Sequence, residues 1–108
     1  MFARVEALLD RADAGCQLWA HEIAQVSALI VNTLYFLELD FFQRRATERA
    51  REAIITYANS RCVAQLHALR HRDESLRQAA WEALEDLRCT VQSTRLNARA
   101  SSLGLKAA

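Results

Sequence analysis

An all-α, up-down helical bundle is the fold class this sequence predicts, and three observations predict it. The chain has no Pro, only two Gly and twenty Ala among its 108 residues, a composition that favours helix and lacks the usual helix breakers. Apolar residues recur at spacings of three and four along most of its length, as they do on helices that bury one face. A chain of this length holds one domain's worth of core. The expected organisation is a short N-terminal helix and three long ones, with residues 1 to 97 as a single helical domain and 98 to 108 as a flexible basic tail.

The first helix, about Phe2 to Ala14, has Val5, Leu8, Leu9 and Ala12 on one side. It closes at Gly15, the residue that best tolerates the left-handed conformation after a helix end. The second segment, about Gln17 to Arg45, sets Trp19, Ile23, Val26, Ile30, Leu34, Leu37 and Phe41 at spacings of 4, 3, 4, 4, 3 and 4. That stripe is read as its buried face, with Trp19 in the core. A turn is expected near residues 44 to 47, because Arg44 and Arg45 complement a helix C-terminus and Thr47 and Glu48 suit the start of the next helix. The competing arrangement merges helices two and three into one long helix that dimerises as a hairpin.

The third helix, about 47 to 71, lines up Ile55, Ala58, Cys62, Leu66 and Leu69. Polar residues from His71 to Ser75 then interrupt the apolar pattern, with Asp73 or Ser75 available as a cap. The fourth helix, about 74 to 97, turns Leu76, Ala80, Leu84, Leu87 and Val91 inward. No acid follows Asp86, which leaves Arg95, Arg99 and Lys106 in a basic C-terminal stretch.

Charge and cysteine usage exclude several function classes. The net charge is +1, so the molecule as a whole is no strongly basic nucleic-acid binder. Its halves differ: residues 1 to 43 hold two Arg against six acids, giving −4, and residues 44 to 108 hold twelve basic groups against seven acids, giving +5. Three cysteines without a CxxC pair argue against a disulfide framework or zinc ribbon, and point to a reducing, cytoplasmic setting. The start of the chain has no signal-peptide pattern, and the longest uncharged stretch, Ile23 to Leu37, is 15 residues, short of a membrane span.

The most informative feature is a surplus of apolar side chains on the second segment. With Ile30 at the centre of the buried stripe and 100° per residue, Phe42, Tyr35, Leu39 and Phe36 fall at about 120°, 140°, 180° and 240°. These four point away from the core and amount to some 600 Å² of apolar surface, about the largest patch a monomer tolerates. Neighbouring helices of the same bundle or a partner must cover them, and the preferred reading is a self-association or partner face. Trp81 joins the candidate partner-binding residues from the flank of the fourth helix.

Arg44, Arg45, Arg49 and Arg51 with Arg95 and Arg99 form an alternative, phosphate-contacting set. Glu48 and Glu52 sit within the first cluster at helical pairing distances. His67 and His71, four residues apart with Glu74 beyond, make a weak candidate metal clip, since two ligands do not make a site. Cys16 is the one reactive-thiol candidate, placed at the start of the second helix. No nucleophile elbow, Gly-rich phosphate loop or HExxH occurs. The sequence therefore points to a non-enzymatic helical interaction protein of bacterial type, an adaptor, regulator, chaperone-like factor or inhibitor. Its expected partners are itself, as a homodimer, and another protein. No cofactor is expected. Nucleic-acid binding through the Arg clusters and a metal-binding bundle are the alternatives.

Overall fold

Four helices, and no strand, make up the described part of the chain: α1 (Phe2–Asp13), α2 (Ala20–Tyr35), α3 (Phe41–Ser60) and α4 (Asp73–Ser102). The computed structural model describes the backbone of residues 1–62 and 73–102 and the side chains of 1–62 and 74–94. α3 and α4 form the main pair, α1 packs on both, and α2 lies mainly against α3 and α1. The molecule is elongated, 57 × 23 × 22 Å.

α1 buries Val5, Leu8, Leu9 and Ala12, as its spacing requires. Gly15 follows at φ 78°; its amide donates to the Ala12 carbonyl and that of Cys16 to the Arg11 carbonyl, at 3.1 and 3.0 Å. These paired bonds satisfy the orphan carbonyls of the last turn and fix where the chain leaves the helix.

The second helix is shorter than its periodicity suggests. It ends at Tyr35, and the chain turns over Phe36–Asp40, so neither the turn at 44 to 47 nor the merged helix occurs. The physical reason is a capping box: Asp40 accepts from the Gln43 amide at 2.8 Å, and the Gln43 side chain accepts from the Asp40 amide at 2.9 Å. Such a cap contributes about 1 kcal/mol and starts α3 six residues earlier than expected. Residues 44 to 47 are helical, and Thr47, expected as a cap, is buried with its hydroxyl donating to the Arg44 carbonyl at 2.9 Å.

Two core assignments change, one at each end of α2. Phe41 is 66% exposed, because the break resets the helical phase after Tyr35. Trp19 is 53% exposed rather than core. The chain is extended at Trp19, and Leu18 is the residue that turns inward, its amide donating to the Arg61 carbonyl at 3.1 Å in an isolated parallel bridge with Cys62. In α3 the fully buried positions are Ile54, Tyr57 and Ala58, and Ile55 is half-buried. α4 places Ala80, Leu84, Leu87 and Val91 in the core as its stripe predicts, and it continues five residues past 97.

A polar node joins three helices at one end. Asp13, closing α1, accepts from the Tyr57 hydroxyl at 2.5 Å and from the Trp81 indole at 2.9 Å, and pairs with Arg77 Nε at 3.0 Å. Arg88 ties α4 to α1 through Glu6 at 2.8 Å. Arg11 pairs with Glu22 across α1 and α2, which holds the Glu22 carboxyl below its ordinary 4.5.

Burial first, and then the bond to Asp13, push the Tyr57 phenol up to about 12 from an ordinary 10.0. Below pH 10 the phenol is neutral in folded and unfolded chains alike, and its contribution to stability is whole. Between pH 10 and 12 the unfolded chain ionises first, so the contribution is lost over that window. We expect the urea midpoint to fall as pH rises from 10 to 12, and to fall less steeply in Tyr57→Phe.

Candidate interaction surface

The α2–α3 corner gathers the apolar side chains that the core does not take. Tyr35 ends α2 and Phe36 follows it at the start of the turn, and Phe41 and Phe42 begin α3; they are 79%, 82%, 66% and 79% exposed. Five residues of turn bring the two pairs to the same corner, where each forms an edge-to-face contact, Tyr35 with Phe36 at 5.3 Å and Phe41 with Phe42 at 5.7 Å between centroids. Tyr35, Phe36 and Phe42 are exposed as expected, although Phe36 and Phe42 lie beyond the end of α2, where the unbroken spacing that singled them out does not hold. Phe41 is the member that sequence reasoning missed, and the Asp40/Gln43 cap was the signal that would have found it.

Leu39 departs from expectation. It is half-buried and, with Val31, Leu34 and Leu37, lines a groove of about 290 Å³ between α2 and α3. The turn brings it to the same groove that Tyr35 lines. Arg44 fixes the turn by donating from Nε to the Leu39 carbonyl at 3.2 Å.

Trp81 does not join this corner. It is half-buried, and its indole N–H is committed to Asp13. Its neighbour in that node, Tyr57, is sixteen residues along α3 from Phe41, about 24 Å at 1.5 Å per residue. Sequence reasoning grouped Trp81 with the aromatics of α2 because it lacked the long-range partner that anchors it.

The arginines of early α3 serve the corner in different ways. The Arg45 guanidinium lies 5.9 Å from the Phe41 ring centroid, a cation–π distance. Arg45 and Arg49 wall a second cleft with Phe41 and Phe42. Arg51 pairs with Glu48 and donates to the Ser27 hydroxyl at 3.0 Å, bridging α3 to α2. The side chains of Arg95 and Arg99, the residues His67 and His71, and Lys106 lie outside the described residues. Glu74 pairs with Arg77 at 3.4 Å. Cys16 is exposed in the turn after α1, four residues before α2 begins, so it does not sit at that helix's N-terminus.

Three aromatic faces and most of a fourth in water amount to roughly 600 Å², worth about 15 kcal/mol of gross transfer free energy as an upper bound. That is comparable to the cost of bringing two proteins together, about 4–15 kcal/mol. Among the described residues no helix is long and apolar enough to cross a membrane. The chain matches no protein-family model, no curated protein and no solved structure.

Proposed function

We propose that this chain is a non-enzymatic interaction protein of the bacterial cytoplasm, an adaptor, regulator, chaperone-like factor or inhibitor, that forms a homodimer and binds another protein through a helical face. One observation carries the reading: four aromatic side chains, two-thirds to four-fifths exposed, stand as two edge-to-face pairs on either side of the α2–α3 turn. A covered patch of that size lowers the free energy of an assembly, and an uncovered one is an aggregation liability. The arginines beside it support protein over phosphate as the ligand, since Arg44, Arg45 and Arg51 are engaged with a backbone carbonyl, an aromatic ring and a carboxylate within the chain.

Sedimentation velocity across a concentration series tests the proposal. The parent chain is expected to shift toward dimer with concentration, and Tyr35→Glu and Phe36→Glu to weaken that association at least tenfold, about 1.4 kcal/mol. Far-ultraviolet circular dichroism should be unchanged, because both positions are exposed. A parent that stays monomeric at high micromolar concentration, with both variants identical to it, overturns the reading.

A further inference from the structure

The groove between α2 and α3 joins an apolar wall to a cation that has no counter-charge. Val31, Leu34 and Tyr35 of α2 form that wall, and Leu37 and Leu39 of the turn bound one end. The other end is bounded by Arg51, which crosses from α3 to the Ser27 hydroxyl at 3.0 Å. Arg44 and Arg51 stand seven residues apart on the α3 wall, which makes the groove about 10 Å long. Its volume, about 290 Å³, lies at the small end of the roughly 300–1,000 Å³ of small-molecule sites.

The charges on the α3 wall are unequally matched. Arg51 is paired with Glu48. Arg44 has no carboxylate partner among the described residues: Asp40, one turn before it, accepts from the Gln43 amide, Glu48, one turn after it, is held by Arg51, and exposed Glu38 in the turn does not pair with it. The one bond that engages Arg44 within the chain, at 3.2 Å to the Leu39 carbonyl, uses Nε. That bond orients the planar guanidinium at the turn end of the groove and leaves both Nη groups for a ligand.

An apolar trough with one oriented guanidinium at its end suits a molecule with a hydrocarbon body and a carboxylate head, since guanidinium and carboxylate pair through two parallel hydrogen bonds. Glu48 on the same wall weighs against a doubly charged phosphate. A peptide fits less well, because the walls are helix side chains and the Leu39 carbonyl is already taken by Arg44, so backbone N–H and C=O groups would meet few partners there. A hydrocarbon chain carries no such groups. We propose that this groove binds a medium-chain aliphatic carboxylate, with the head on the Arg44 guanidinium and the chain along Val31, Leu34, Leu37 and Leu39. The site does not depend on the self-association reading above; of the four corner aromatics only Tyr35 borders it.

Isothermal titration of the full chain with octanoate tests the site. One octanoate per chain is expected to bind with a dissociation constant below about 1 mM. Octanamide, which keeps the shape without the charge, and octylamine, whose head is cationic, are each expected to bind at least about tenfold more weakly. Arg44→Gln is expected to weaken octanoate by at least about tenfold, and Arg44→Lys to recover part of that loss, because it keeps the charge without the fork. Val31→Phe, at a position 45% exposed, fills the groove without altering a charge and is expected to abolish binding. Phe42→Ser, in the aromatic corner outside the groove, is expected to leave binding unchanged, and the helical spectrum of every variant to match the parent. Octanoate binding that survives both Arg44→Gln and Val31→Phe, that Phe42→Ser removes, or that octylamine equals overturns the proposal, as does a parent chain that binds no octanoate.

Discussion

Asp13→Ala is expected to cost about 3 kcal/mol, which for a domain of this size lowers the thermal midpoint by roughly 10–20 °C. The side chain it removes is small and lies near the surface, so the expected loss comes from its partners. Tyr57 is fully buried, and its hydroxyl donates to Asp13; without the carboxylate that donor loses its acceptor. The Trp81 indole and Arg77 lose the same acceptor. A buried donor without its partner costs about 1–3 kcal/mol, more when the missing acceptor was charged. Asp13→Asn keeps one carbonyl oxygen, and its loss should fall between that of Asp13→Ala and zero. Thermal denaturation of the two variants beside Tyr57→Phe separates the parts: if all three melt within about 2 °C of the parent, the node contributes nothing to stability.

Leu84→Ala is expected to cost about 3 kcal/mol, within the range of roughly 2–5 kcal/mol for emptying a fully enclosed leucine site. Leu84 is wholly buried in α4, and the space it leaves cannot close without moving helices. Phe36→Ala is the instructive comparison. It removes a larger side chain, but one that is 82% exposed, and at low protein concentration it should change the urea midpoint little. Equilibrium urea unfolding of both at low concentration checks the pair; a Phe36→Ala loss as large as that of Leu84→Ala would mean that the aromatic corner is part of the fold.

The fold class was legible because its signals are local. Val5, Leu8, Leu9 and Ala12 repeat at helical spacing, Gly15 ends the helix they form, and Ala80, Leu84, Leu87 and Val91 trace the buried line of α4. The boundary between α2 and α3 was harder to read because the apolar pattern runs across it in phase. Leu34, Leu37 and Phe41 continue the spacing of Ile23 to Ile30, and no Gly or Pro interrupts them. Asp40 and Gln43 carry the boundary instead, through two hydrogen bonds that outweigh the periodicity.

The candidate surface was legible to the same depth. An excess of apolar residues after Ile30 is a count, so the exposure of Tyr35, Phe36 and Phe42 was anticipated, although only Tyr35 lies on the helix assumed for them. Leu39 and Phe41 depended on the exact turn, and they exchanged roles when it moved. Trp19 needed the extended step at Leu18, set by a contact forty-three residues away, and Trp81 needed Asp13, sixty-eight residues away. Interactions across such separations leave no trace in local periodicity.

The bridge between Leu18 and Cys62 has a mechanical consequence. It clasps the base of the α2–α3 hairpin, joining the strand of chain that enters α2 to the one that leaves α3. The hairpin thus resembles a jackknife pinned at its pivot, whose free tip bears the aromatic corner. Parting α2 from α3 at the base of the hairpin must first draw that pin, and the buried Cys62 sulfur would then meet solvent. Its rate of alkylation, set against those of the open Cys16 and Cys89, gives the chain an internal clock for how often the blade unfolds from its handle.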